Sequence, residues 1–162
     1  MILVALGANL SSAAGPPAGT LDAALRRLGQ RGITIVKRSG FYRSAAWPNP
    51  DDPPFVNAVA EVTTGLAPAA LLEVLHAVEA QFGRKRSAPN APRTLDLDLI
   101  DYDGRVEQGP PQLPHPRMES RSFVLVPLAE IAPGWRHPVS GRAVSELVAA
   151  LPPDGIDRIS RP

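Results

Sequence analysis

Apolar and polar residues alternate most strictly in Arg93-Thr94-Leu95-Asp96-Leu97-Asp98-Leu99-Ile100, where Leu95, Leu97 and Leu99 recur at period two and Asp96 and Asp98 fill the gaps. That pattern predicts a strand with one greasy face and one anionic face. Two apolar runs of similar character lie upstream. Residues 2 to 6 read as a first strand that Gly7-Ala8-Asn9 breaks into a loop, and Ile33 to Tyr42, rich in β-branched and aromatic types, reads as a second. Phe55 to Thr64 alternates well enough for a third, with Asn57 interrupting its apolar face.

Between these runs the period changes to that of a helix. Thr20 is a plausible N-cap for a helix with Leu21, Ala24, Leu25 and Leu28 on one face, stopped by Gly29 or Gly32. Pro68 opens a second, with Leu71, Leu72, Leu75, Val78 and Phe82 as its buried stripe and Gly83 as its stop. Val124, Leu125, Pro127, Leu128 and Ile131 predict a short helix, Trp135 to Gly141 a hairpin or loop, and Val144, Leu147, Val148 and Leu151 a last helix. The tail after Pro152 reads as peripheral. The order β-α-β-β-α-β with later additions is that of a split βαβ sheet with helices packed on it. No repeat or linker divides the chain, so residues 1–162 are expected to form a single domain.

Composition narrows the function classes. The 162 residues include no cysteine, which excludes thiol catalysis, thiolate zinc sites and disulfides and is compatible with a reducing cytoplasm. Seventeen basic and sixteen acidic residues leave a net charge near zero, which argues against a chain that coats nucleic acid or an anionic membrane. The apolar start lacks a basic leader and is too short to span a bilayer. The 19 prolines sit mostly between the apolar runs, as stiff loops do.

Candidate chemistry gathers around the acid strand. Residues two apart on a strand lie about 6.6 Å apart along it, so Asp96 and Asp98 can reach a shared cation or a pair of cations. A solvated sheet face with Arg93 as counter-charge explains the pair equally well. The loop leading into it, from Gly83 to Arg93, carries Arg84, Lys85, Arg86 and Arg93 and no acid. Cations and carboxylates at opposite ends of one loop suit a polyphosphate with magnesium, an RNA backbone being the other candidate. His76 and Glu79 share a helix face whose default is solvent, and Asn57 can either bond within the structure or read a heterocycle. Trp47, in the proline-stiffened loop from Ser44 to Pro54, also reads as a lid on the core, and His115 is held in an extended or turn conformation between Pro114 and Pro116.

Several of these segments recur together in a known family. Gly7-Ala8-Asn9, Phe41-Tyr42-Arg43-Ser44, Phe55-Val56-Asn57-Ala58, Pro92 to Leu99, Pro114 to Met118 and Arg121-Ser122-Phe123 stand in the order and spacing that resemble the 6-hydroxymethyl-7,8-dihydropterin pyrophosphokinases of folate biosynthesis. The resemblance spans roughly residues 2 to 135. It implies a ferredoxin-like α/β (α+β) fold, three-layer αβα, and an enzyme that moves the terminal diphosphate of ATP to the pterin hydroxymethyl group, releasing AMP. By the same resemblance Asp96 and Asp98 hold two Mg2+ ions, and Arg84, Arg93 and Arg121 grip phosphates. His115, Glu79, His76, Arg86 and Leu99 face the nucleotide. The pterin lies between Phe55 and Phe123, with Asn57 and the backbone of Ser44, Ala45 and Trp47 on its edge.

The chain departs from the family pattern twice. Pro89-Asn90-Ala91 stands where many members carry Arg-Trp-Gly, and Pro116 replaces a common Tyr. Lys85 and Arg86 are then expected to supply more of the phosphate charge. The implied partners are small molecules, with no nucleic acid and no membrane, in a cytoplasmic monomer. Two other classes remain for comparison. A non-catalytic ferredoxin-like module could bind RNA, and a two-metal nuclease would draw further acids from Asp101 and Asp103.

Overall fold

The computed structural model describes residues 1–46, 49–84, 94–152 and 156–159. In chain order these form β1 (Ile2–Ala8), α1 (Pro17–Gln30), β2 (Thr34–Arg38), β3 (Tyr42–Ser44), β4 (Phe55–Thr63), α2 (Pro68–Gln81) and β5 (Asp96–Tyr102). The small pair β6 (Glu107–Gln108) and β7 (Gln112–Leu113) follows, then α3 (Ser122–Ile131), α4 (Val144–Ala149) and β8 (Ile156–Arg158). Among the described residues the main sheet has six strands in the order β5-β1-β4-β3-β8, with β2 also paired to β4. Every pairing in it is antiparallel, so β1 and β2 run parallel with β4 between them. That is the split βαβ arrangement of a ferredoxin-like sheet.

Helices cover both faces. Val4 and Leu6 of β1, Ala58 and Ala60 of β4 and Leu97 of β5 pack against the buried stripes of α1 and α2. Leu3, Val59 and Ile100 point the other way, into a core shared with α3 and α4. Leu95, Leu97 and Leu99 are all at most 3% exposed, and full burial of a leucine stabilises by roughly 1.5–3 kcal/mol. A slip of β5 by one residue would lose those three burials and drive Asp96 and Asp98 into the core, so its register is fixed. β5 carries one extra residue at Ile100, where the β1 pairing jumps between Leu3 and Val4.

Four boundaries differ from those the sequence predicts. α1 begins at Pro17, whose missing N–H belongs at a first turn, and Thr20 lies inside the helix with its hydroxyl 2.7 Å from Ser12 Oγ. The run from Ile33 to Tyr42 divides into β2 and β3 at Ser39-Gly40, where Ser39 Oγ accepts the Val59 N–H at 3.0 Å. β1 continues through Gly7 and Ala8 instead of turning there. The tail is not peripheral, since Ile156–Arg158 pairs along β3 as an edge strand.

Candidate active site

α3 and α4 are short and leave the far end of their sheet face bare. The result is a cleft of about 740 Å³ with Ala5 and Gly7 of β1 in its floor. Gly7 pairs with Asp96 on one side and with Asn57 on the other. A methyl group on Gly7 would stand 3.1 Å from Asn57 Oδ1, so the central strand stays bare where the neighbouring side chains converge. The acid strand and the Asn57 strand are thereby two edges of one floor.

On the acid side, Asp96 and Asp98 project into the cleft from alternate positions of β5. Arg84, one residue past the positive-φ Gly83 that ends α2, donates from Nη1 to Asp96 Oδ1 at 2.7 Å and to Glu79 Oε2 at 2.5 Å. Glu79 Oε2 also accepts the Leu97 N–H at 2.8 Å, and the residue is 3% exposed. Burial pushes the Glu79 carboxyl up to about 7, against the Leu97 and Arg84 contacts that hold its charge. Glu79 therefore braces Arg84 and β5 from behind. Arg121, at the entry to α3, places Nη1 3.9 Å from Asp98 Oδ2.

The donor set suits a hard divalent cation. Two part-exposed carboxylates on one strand face offer oxygen ligands only, each already facing a guanidinium, and Mg2+ is ordinarily held by one or two carboxylates together with substrate phosphates. Among the described residues no cluster of three or more His, Asp or Glu is placed to hold a metal ion. Asp101 and Asp103 do not join it. Asp101 accepts from Trp135 Nε1 at 2.9 Å and from the Gly104 N–H at 3.0 Å, and Asp103 pairs with the Met1 amino group at 2.8 Å.

His115 closes one side of the cleft. Its backbone N–H donates to the Ile100 carbonyl at 2.9 Å, and its Nδ1 accepts the Arg117 N–H at 3.2 Å. Burial, with Arg121 and Arg117 adding to it, pushes its pKa down to about 4. The neutral ring thus carries its proton on Nε2 and can donate without charge. Since a free histidine titrates near 6.5, the unfolded chain binds this proton first, and the stability contributed by neutral His115 is full above about pH 6.5. We expect it to be lost as pH falls from there through 4. The His115 ring resonance, assigned by its loss in His115→Gln, should titrate near 4, and a midpoint at 6 or above would refute this.

Across the floor, Phe55 and Asn57 of β4, Ser44 and Ala45 at the end of β3 and Phe123 in the first turn of α3 line the same cleft. Asn57 is 3% exposed and donates from Nδ2 to Ser44 Oγ at 2.9 Å. The Arg121 guanidinium lies 5.4 Å from the centre of the Phe123 ring, linking the cationic side to the aromatic one. An amide and two aromatic rings lining one cleft with paired carboxylates and arginines can hold a flat polar heterocycle against a polyphosphate.

The cleft thus brings together Ser44, Ala45, Phe55, Asn57, Arg84, Asp96, Asp98, His115, Arg121 and Phe123 from the sequence-predicted set. Leu99 instead packs in the α1 and α2 core, and His76 sits exposed on α2 one turn before Glu79. Trp47, Lys85, Arg86, Arg93 and Pro89-Asn90-Ala91 lie outside the described residues. Ala5, Arg117 and Ser120 line the cleft without having been proposed as site residues, and Gly7 lines it from within β1 instead of from a loop after it. Arg117 carried a signal, as a cation two residues from His115, whereas Ala5 carried none.

Comparison with known proteins shows the family from sequence and the fold from shape. The family model described as 7,8-dihydro-6-hydroxymethylpterin-pyrophosphokinase (HPPK) matches residues 3–133. The chain is 43% identical over 148 residues to the 2-amino-4-hydroxy-6-hydroxymethyldihydropteridine pyrophosphokinase of Synechocystis, covering 90% of this chain and 73% of that one. It is 42% identical over 159 residues to the protein of the same name from Pseudomonas aeruginosa, covering 98% and 96%. In shape it is similar to the Plasmodium falciparum HPPK-DHPS solved with pterin and p-hydroxybenzoate. The TM-score is 0.73 at 12% identity, covering 91% of this chain and 43% of that one, a likeness of fold.

Proposed function

The chain belongs to the 7,8-dihydro-6-hydroxymethylpterin-pyrophosphokinase family, and from that premise we infer that it transfers the terminal diphosphate of ATP to 6-hydroxymethyl-7,8-dihydropterin in folate biosynthesis. The observation that carries the inference is one cleft in which Gly7 separates the Asp96 carboxylate from the Asn57 amide. It offers a polyphosphate site and a flat-heterocycle site at adjoining positions.

In the reaction the pterin hydroxymethyl oxygen forms a bond to the β-phosphorus of ATP and gives up its proton to solvent as the bond from that phosphorus to the α,β-bridging oxygen breaks. AMP leaves with the bridging oxygen. No covalent nucleophile is needed, and catalysis rests on positioning and charge neutralisation. Phe55 and Phe123 stack the pterin while Asn57, itself oriented by Ser44, reads its amide-like edge. Arg84 and Arg121 release part of their hold on Asp96 and Asp98 to bind phosphate oxygens, with Arg93 and Arg86 joining them by family resemblance. Neutral His115 donates from Nε2 to the nucleotide. Mg2+ held by Asp96 and Asp98, two ions in our reading, supplies Lewis-acid neutralisation of the triphosphate.

The wider reading is a monomer of one domain acting on small molecules in the cytoplasm. That reading rests on the family resemblance, and no helix among the described residues is long and apolar enough to cross a membrane. A nuclease is disfavoured because Asp101 and Asp103 are committed to Trp135 and to Met1.

The deciding assay supplies ATP, Mg2+ and 6-hydroxymethyl-7,8-dihydropterin and follows AMP and the pterin diphosphate. AMP release is expected to require the pterin and to stop in EDTA. AMP formation independent of the pterin, or no pterin diphosphate from folded protein, would refute the assignment.

A further inference from the structure

The two walls of the aromatic slot belong to different layers, Phe123 to α3 and Phe55 to the sheet, so something must set the gap between them. Phe123 and Glu130 are seven residues apart on α3, nearly two full turns, and so lie on the same side of the helix about 10.5 Å apart along it. On β3, Tyr42 and Ser44 are two apart and share a side, and they pair with Asn57 and Phe55 of β4. Glu130 spans the layers. Its Oε1 accepts from the Tyr42 hydroxyl at 2.6 Å, its Oε2 accepts the Gly40 N–H at 2.9 Å, and Arg158 of β8 brings Nε to 3.5 Å from Oε1. Both carboxylate oxygens are thus used on the one strand segment that leads into Ser44.

We propose that Glu130 is a positioning residue for the heterocycle slot, fixing through Tyr42 and Gly40 how far α3, and with it Phe123, stands from Phe55. The proposal rests on the pterin reading above. Neither Glu130 nor Tyr42 lines the cleft, so neither touches the ligand, and any effect on binding must pass through the two walls. Charge-assisted bonds of this kind are roughly twice as strong as neutral ones, which suits a cross-brace between a ten-residue helix and a three-residue strand. Burial pushes the Tyr42 phenol up to about 12, with Glu130 adding to it, so the hydroxyl stays a donor at neutral pH. The edge strand β8 joins the same brace, giving the C-terminal segment a part in holding β3.

The test measures two affinities in each variant: ATP analogue with Mg2+ alone, and 6-hydroxymethyl-7,8-dihydropterin with a non-hydrolysable ATP analogue and Mg2+ present. Glu130→Ala should weaken pterin binding about tenfold and leave nucleotide binding within about twofold. Tyr42→Phe, which removes one oxygen and no ring, should show part of that loss. The double variant should lose less than the sum of the two, because both act through one contact. Glu130→Gln keeps one acceptor and should fall between wild type and Glu130→Ala. Equal losses for both ligands, or a lowered melting temperature with unchanged pterin affinity, would overturn the proposal. If Glu130→Ala does not fold, Tyr42→Phe and Glu130→Gln decide by the same criteria. Failure of the wild-type protein to bind the pterin would overturn the functional reading itself and this proposal with it.

Discussion

Asp98→Ala is expected to fold as well as the wild-type protein and to lose at least about 10³-fold in turnover, the scale on which removing one charge-stabilising group from a phosphoryl-transfer site is felt. The structural side follows from the surroundings of the residue. Asp98 is part-exposed at the cleft, contributes no core volume, and stands beside Asp96 on the same strand face. Among the described residues, removing it relieves repulsion between two carboxylates and costs the Arg121 contact, which at 3.9 Å and in part-exposed surroundings is worth little. The melting temperature of the ligand-free protein should therefore be unchanged or slightly raised, as is common when a functional acid is deleted. Affinity for ATP without Mg2+ should change little, and the gain in affinity that Mg2+ confers should shrink. Near-normal turnover would sink the assignment of Asp98 as a metal ligand. A collapse in melting temperature would instead give it a structural role.

The same strand shows why part of the site is legible in the sequence. Period-two alternation of Leu and Asp specifies which side chains face together whatever the strand packs against, and three buried leucines then fix the register. Asn57 is readable for the same reason, as a polar residue breaking an apolar strand face. Gly7 is not. A glycine after an apolar run signals a turn when only neighbours in sequence are considered, and its place in the middle of β1 depends on Asn57 and Asp96, which lie about fifty and ninety residues away in sequence. The pairing of Ile156–Arg158 with β3 is equally non-local, and a three-residue strand carries too little periodicity to be seen. Thr20 is misread because a hydroxyl near a helix start has two uses, and here Ser12 takes it while Pro17 supplies the first turn.

Glu79 marks the limit of reading a helix surface by spacing. With His76 it shares the face that sequence assigns to solvent, yet it is 3% exposed and grips both Arg84 and the Leu97 N–H. Only the approach of β5 to the end of α2 distinguishes it from His76, which remains exposed. The cationic loop and the acid strand are thus joined through a buried carboxylate as well as through the chain. Leu99 is the converse case, since its place on the buried side of the same alternation puts its side chain in the core and away from the cleft.

Phe123→Ala should separate the two halves of the cleft. Phe123 sits in the first turn of α3 and lines the same cleft as Phe55, and the loss of one stacking face against a heterocycle is worth roughly 1–3 kcal/mol, which is about 5- to 150-fold in pterin affinity. The ring also lies 5.4 Å from the Arg121 guanidinium, so its removal frees a cation on the phosphate side. That contact is worth only about 0.5–1 kcal/mol at a part-exposed site, which bounds the change in nucleotide affinity to about two- to fivefold. The pterin loss should therefore exceed the nucleotide loss over all but the lowest end of its range. Measuring both affinities in a variant shown by its melting curve to be folded gives the ratio directly. Equal losses would mean that Phe123 serves mainly to hold α3 and Arg121 in place, and the stacking role would fall to Phe55 alone. A strongly skewed ratio would tie the aromatic wall to the heterocycle and leave Arg121 to the phosphates.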